Sequence, residues 1–118
     1  MATQTRADLV NKILEKLGIV PEGQAAEIED TARVDRNLPA LIASLAAREI
    51  VYVGNIEAIP SEWFLDLAKV AAYELRNEFG VTGEFAGELK TANDEGVANI
   101  KVMTRGRPTY EPLKTFSY

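Results

Sequence analysis

The sequence predicts an all-α fold, a small bundle of about four helices, on three observations. Apolar residues recur at spacings of three and four along most of its length. Helix start and stop signals such as Thr5, Gly18, Ser61 and Gly80 bracket those stretches. A single run, Ile50-Val51-Tyr52-Val53, has β character. The length of 118 residues suits one domain with its own core. With 47% apolar and 26% charged residues, the chain has the composition of a folded globular protein, which excludes global disorder.

Thr5 is a helix N-cap with Asp8 three residues on, an Asp variant of the capping box, and Leu9, Val10, Ile13, Leu14 and Leu17 follow at helical spacing. Gly18 closes this helix, and Ile19 to Gly23 is a connector punctuated by Pro21 and Gly23. A second helix is expected from near Ala25, with Glu27, Glu29 and Asp30 complementing the positive end of its dipole. Its predicted inner stripe is Ile28, Ala32, Leu38, Ile42 and Leu45, and Pro39 implies a kink or a break near Asn37.

Ile50 to Ile59 reads as an extended crossing segment or short hairpin. Ser61 is expected to cap a third helix whose core stripe is Phe64, Leu67, Ala68, Ala71, Leu75 and Phe79, closed by Gly80. Val81 to Gly83 turns the chain into a fourth helix from Glu84 to Met103, with Phe85, Leu89, Ala92, Val97, Ile100 and Met103 inward. Gly87 and Gly96 each weaken that helix by about 1 kcal/mol relative to alanine. Residues 105–118 form an extended C-terminal arm, because Pro108 and Pro112 exclude a helix there. The expected organisation is therefore a helical domain over 1–104 followed by the arm.

The residue inventory removes whole classes of function. Cysteine and histidine are both absent, so disulfides, thiolate zinc sites and Cys- or His-based catalysis are excluded, and no cofactor is expected. No apolar run reaches the roughly 18–20 residues that cross a bilayer, and Met1 to Arg6 lacks the form of a signal peptide. A cytosolic protein, or a particle assembled in the cytosol, is the expectation.

Acid–base chemistry would fall to carboxylates, namely Glu27, Glu29, Asp30 and Asp35 on the second helix and Asp94-Glu95 on the fourth. Glu27 and Asp30 are three apart and share a face, as a glycosidase pair or a metal site requires. They lack a companion nucleophile, a glycine cradle or a sugar-stacking aromatic, so an exposed acidic face is the better reading. Gly80-Val81-Thr82-Gly83 has the wrong spacing and context for a phosphate loop and is a turn. Trp63 is a core-edge residue or a partner contact, and its offset of about 100° from Phe64 favours the core edge.

Charge is divided unevenly. Residues 100–118 carry a net +3, which leaves −8 on the rest of a chain whose total is −5. An acidic body disfavours nucleic-acid binding through phosphate contacts, although Arg105-Gly106-Arg107 alone could touch a phosphate. Ordering the irregular arm costs roughly 1–2 kcal/mol per residue and must be offset by burial of Tyr110, Leu113, Phe116 and Tyr118. Two solutions exist: a strap over the chain's own core, or docking into a groove or sheet edge of another chain with Arg105 and Arg107 pairing to acids.

The order of these features resembles the head-to-tail adaptor, or connector, proteins of tailed bacteriophages and related gene-transfer particles. The likeness spans nearly the whole chain. It is carried by the opening helix that ends Leu17-Gly18, by Asp35-Arg36-Asn37-Leu38-Pro39 running on to Leu45 before the extended Ile50 to Val53, and by Ile59-Pro60 leading into a helix that ends Glu78-Phe79-Gly80. The close, Arg105-Gly106-Arg107-Pro108-Thr109-Tyr110-Glu111-Pro112-Leu113-Lys114, is similar to the arginine, proline and tyrosine arm of such chains.

The resemblance implies a virion protein of the head-tail neck, forming a ring of about twelve copies beneath the portal and surrounding the DNA channel. Its implied partners are the portal, a tail-side completion or tail protein, and its own copies, with DNA passing through without sequence-specific contact. The portal-binding arm would comprise Arg105, Arg107, Pro108, Tyr110, Leu113, Phe116 and Tyr118. The rival readings are a non-viral helical interaction module, monomeric or dimeric, and an enzyme acting through the second-helix acids.

Overall fold

In the computed structural model, residues 2–21 and 23–105 are described. Their order is β1 (Thr3–Gln4), α1 (Arg6–Lys16), α2 (Ile28–Ala47), β2 (Ile59–Pro60), α3 (Phe64–Glu74), a 3-10 turn (Arg76–Phe79) and α4 (Gly83–Arg105). The fold is all-α, with four α-helices among the described residues and one two-stranded ribbon. α1 packs on both α2 and α3, and α4 packs on α3.

α1 begins as its sequence dictates. The Thr5 hydroxyl accepts from the Asp8 amide at 3.2 Å and the Asp8 carboxylate accepts from the Thr5 amide at 3.1 Å, which closes the capping box. Leu9, Val10, Ile13, Leu14 and Leu17 are all buried. At its end Gly18 takes a left-handed φ of 77°. The Gly18 and Ile19 amides then donate back to the carbonyls of Glu15 and Leu14, satisfying the last turn.

α2 departs from expectation in two ways. It starts at Ile28, with Glu27 at the N-cap, three residues later than expected. Its buried stripe is Val34, Leu38, Leu41 and Leu45, whereas Ile28 and Ala32 are exposed and Ile42 is half-buried. Of the two expectations at Pro39, a kink or a break, the break is absent, since the helix continues through it.

The missing proline N–H would have bonded the Asp35 carbonyl. Arg6 takes its place: its Nη2 donates to that carbonyl at 3.0 Å, while its Nε pairs with the Asp35 carboxylate at 2.6 Å. α2 ends in the same reversed-turn geometry as α1, with Glu49 and Ile50 donating to Ala46 and Leu45. Here the left-handed position, φ 59°, holds a glutamate in place of glycine.

Residues 51–53 belong to no helix or strand, so no hairpin forms within 50–59. Instead Ile59 pairs with Gln4 and Pro60 with Thr3, antiparallel, tying the start of the chain to the entrance of α3. This explains why Ser61 does not cap α3. Its hydroxyl accepts from the Gln4 side-chain amide at 3.3 Å, and Trp63 occupies the N-cap position without a side-chain cap.

Phe64, Leu67, Ala68, Ala71 and Leu75 are buried as expected, joined by Val70 and Ala72, while Phe79 is half-buried. Trp63 is buried, in agreement with its core-edge reading. α4 meets α3 along Leu89, Gly96 and Ile100, all buried. Ala92 and Val97 are half-buried, and Phe85 and Met103, expected inward, are exposed. α4 has 23 residues against 11 in α3, and the Phe85 ring at its leading end lies beside Gly18 at the end of α1.

Candidate functional site at the trailing end of the fourth helix

The arm residues Arg107, Pro108, Tyr110, Leu113, Phe116 and Tyr118 lie outside the described residues. Arg105, expected to open the arm, is instead the last residue of α4. What can be placed is the last turn of α4, which precedes them in the chain. Lys101, Val102, Met103 and Thr104 are all exposed, so this last turn of α4 has no described side buried against the body. Val102 at 47% and Met103 at 52% exposure put apolar surface in water there. The Thr104 hydroxyl turns back to the Ile100 carbonyl at 2.8 Å.

Beside this turn lies an open groove of about 470 Å³ lined by Ala46, Glu49, Ile50, Val51, Tyr52 and Thr104. Two elements build it. The left-handed Glu49 ends α2 and sends the chain sideways, which buries Ile50 and Val51 as walls and leaves Tyr52 79% exposed on the lip. Arg48 holds that corner to α3 through Glu74 at 3.2 Å. The groove thus sits on a braced corner beside the last turn of α4, with apolar walls and the polar residues Glu49 and Thr104.

The carboxylate cluster is not drawn together into a pocket. Glu27 caps α2 by its backbone, Glu29 and Asp30 occupy the first turn, and Asp35 is committed to Arg6. Asp94 pairs with Lys90 at 3.2 Å, and Glu95 faces Lys69 at 3.9 Å. Among the described residues no group of three or more acids is placed to hold a metal ion. One carboxyl is clearly perturbed: the Lys12 ammonium holds Glu15 below its ordinary range, and the Gly23 amide assists, against partial burial that pushes it up. It fastens the α1–α2 connector.

Besides Phe85 and Met103, sequence reasoning missed the exposure of Ile28 and Tyr52. Ile28 was assigned to the core stripe and is 86% exposed, and Tyr52 was read only as part of a β-favouring run. The signal for Ile28 was its setting, a lone aliphatic side chain among Glu27, Glu29 and Asp30 at a helix start. No described helix is long and apolar enough to cross a membrane. The chain matches no protein-family model, no curated protein and no solved structure.

Proposed function

We propose that this chain is a structural head-to-tail adaptor. Copies of it form a ring around a DNA channel, and residues 105–118 engage the portal of a phage-like particle. The observation that supports this best is the division between a core that closes on itself and an α4 end that does not. Leu89, Gly96 and Ile100 are sealed against α3, while every described side chain from Lys101 to Thr104 stays in water. The sequence that follows this end is rich in aromatic residues and carries positive charge.

The charge distribution supports the same role, since the acidic body would let a polyanion slide past and the basic end would seek acidic surface on a partner. Two unlike patches per subunit are what a ring linked to a second ring requires. Carboxylates committed to ion pairs or spread along an exposed helix start favour binding over catalysis.

The test is copurification with a phage portal protein, to be sought among the genes neighbouring this chain's own. The full chain is retained on portal rings. Both the 1–104 truncation and the triple change Tyr110→Ala, Leu113→Ala, Phe116→Ala keep the helical circular dichroism of the parent and are lost from the rings. Failure of the full chain to bind would sink the reading, and collapse of the truncated fold would support a strap over the chain's own core.

A further inference from the structure

We infer that the leading end of α2 and the trailing end of α4 are the two halves of one interface between copies of this chain. The contact rests on the ring reading above for its closure and adds the residues that make it. Ile28 is the most exposed large apolar side chain described, at the first position of α2, with Glu27, Glu29 and Asp30 around it. It is an apolar knob with an acidic rim.

The other end has the opposite character. Val102 and Met103 stand exposed on the α4 turn that carries Thr104 into the groove, and Tyr52 stands on its lip. Lys101, exposed, brings positive charge to that turn, and Glu49 in the groove is already engaged within the chain. It is an apolar socket with a basic rim.

Each end lacks what the other supplies, so a second copy satisfies both, and charge complementarity fixes which end meets which. The two patches cannot meet within one molecule. Ile28 opens α2 and Ala46, one wall of the groove, lies near its end, about 27 Å away along the helix axis. A knob on one end and a socket on the other give a heterologous contact, which propagates from copy to copy and closes into a ring when the rotation permits.

The experiment is sedimentation velocity of the full chain, without portal, for the parent and for Ile28→Asp and Met103→Asp alone and mixed. The parent is expected to assemble, and each single variant to stay monomeric, its dissociation constant raised by about tenfold or more. The mixture is expected to stop at a one-to-one heterodimer, because each variant keeps one intact half. Glu29→Lys and Lys101→Glu should each weaken assembly and together restore it. These positions are exposed, and unchanged melting temperatures check that the fold is retained.

A parent that stays monomeric to about 1 mM, a variant that assembles like the parent, or a mixture without heterodimer would each overturn the inference. Portal retention is read separately. A chain that assembles this way and fails to bind the portal keeps the interface and loses the adaptor function, and a portal-bound chain that never self-associates does the reverse.

Discussion

Where α1 meets α2 the contact is bracketed by side chains, with the Arg6 guanidinium reaching across to the Asp35 carboxylate and carbonyl. Where α3 meets α4 it is made backbone to side chain, because Gly96 has no side chain to hold the helices apart. A Cβ at Gly96 would lie 2.8 Å from the Asp66 carbonyl oxygen and 3.2 Å from a Val70 methyl. A polar bracket tolerates small shifts of either partner, whereas a close approach tolerates none. The same residue type plays a different part nine positions earlier, since a Cβ at Gly87 would meet nothing within 4 Å.

The largest expected effect breaks the α3–α4 seam. Gly96→Ala lowers stability by about 1–3 kcal/mol through overpacking against backbone, in spite of alanine's better helix propensity, and chemical denaturation measures it. A stabilised Gly96→Ala protein would mean that the seam is looser than its geometry. Next, Arg6→Ala removes the bracket at the α1–α2 seam and strands the carbonyl that Pro39 leaves free. The cost is about 1–2 kcal/mol, discounted because the pair is half-exposed, and Arg6→Lys recovers only part of it, since an ammonium lacks the two-pronged reach.

Gly87→Ala sharpens the contrast from the other direction. It raises stability by about 0.5–1 kcal/mol, and thermal melts of Gly87→Ala and Gly96→Ala should move in opposite directions. The smallest effect is set by pH. The carboxyl of Glu15 has its folded value depressed below the ordinary 4.5, so its contribution is full above that value and is lost as pH falls through the folded value. Melting of the parent and of Glu15→Gln at pH 7 and in steps below 4.5 should therefore differ slightly at neutral pH and converge in acid.

Much of the fold was legible because its signals are local. The Thr5–Asp8 box, the left-handed Gly18 and Gly80, and the α3 stripe each depend on residues within a turn or two of one another. What was not legible depends on partners far along the chain. The phase of the α2 stripe is set by α1, which selects Val34 and Leu41 over Ile28 and Ala32. Pro39 is accommodated because a guanidinium 33 positions earlier replaces its missing donor. Ser61 is diverted from capping by Gln4, which only strand pairing brings near. Glu49 gave no warning of its left-handed backbone, because glutamate is not a residue that favours it.

The candidate site was harder still. Periodicity reports which residues share a face and says nothing of whether a neighbour is long enough to cover it. Phe85 and Met103 fit the α4 stripe and yet are 38% and 52% exposed. Whether the last turn of α4 is covered depends on neighbours far along the chain, which leave no mark in its own periodicity.

The guanidinium that completes the second helix has a bearing on modularity. A helix with proline at its twelfth position cannot be self-sufficient, and this one draws its missing donor from the opening residues of the chain. It is therefore not a portable part: excised as a peptide it would fray into two short pieces, and grafted into another protein it would need an arginine delivered from outside at the same height. The opening residues, which look dispensable as a two-residue strand and a cap, are in this sense an integral part of a helix they precede by more than twenty positions.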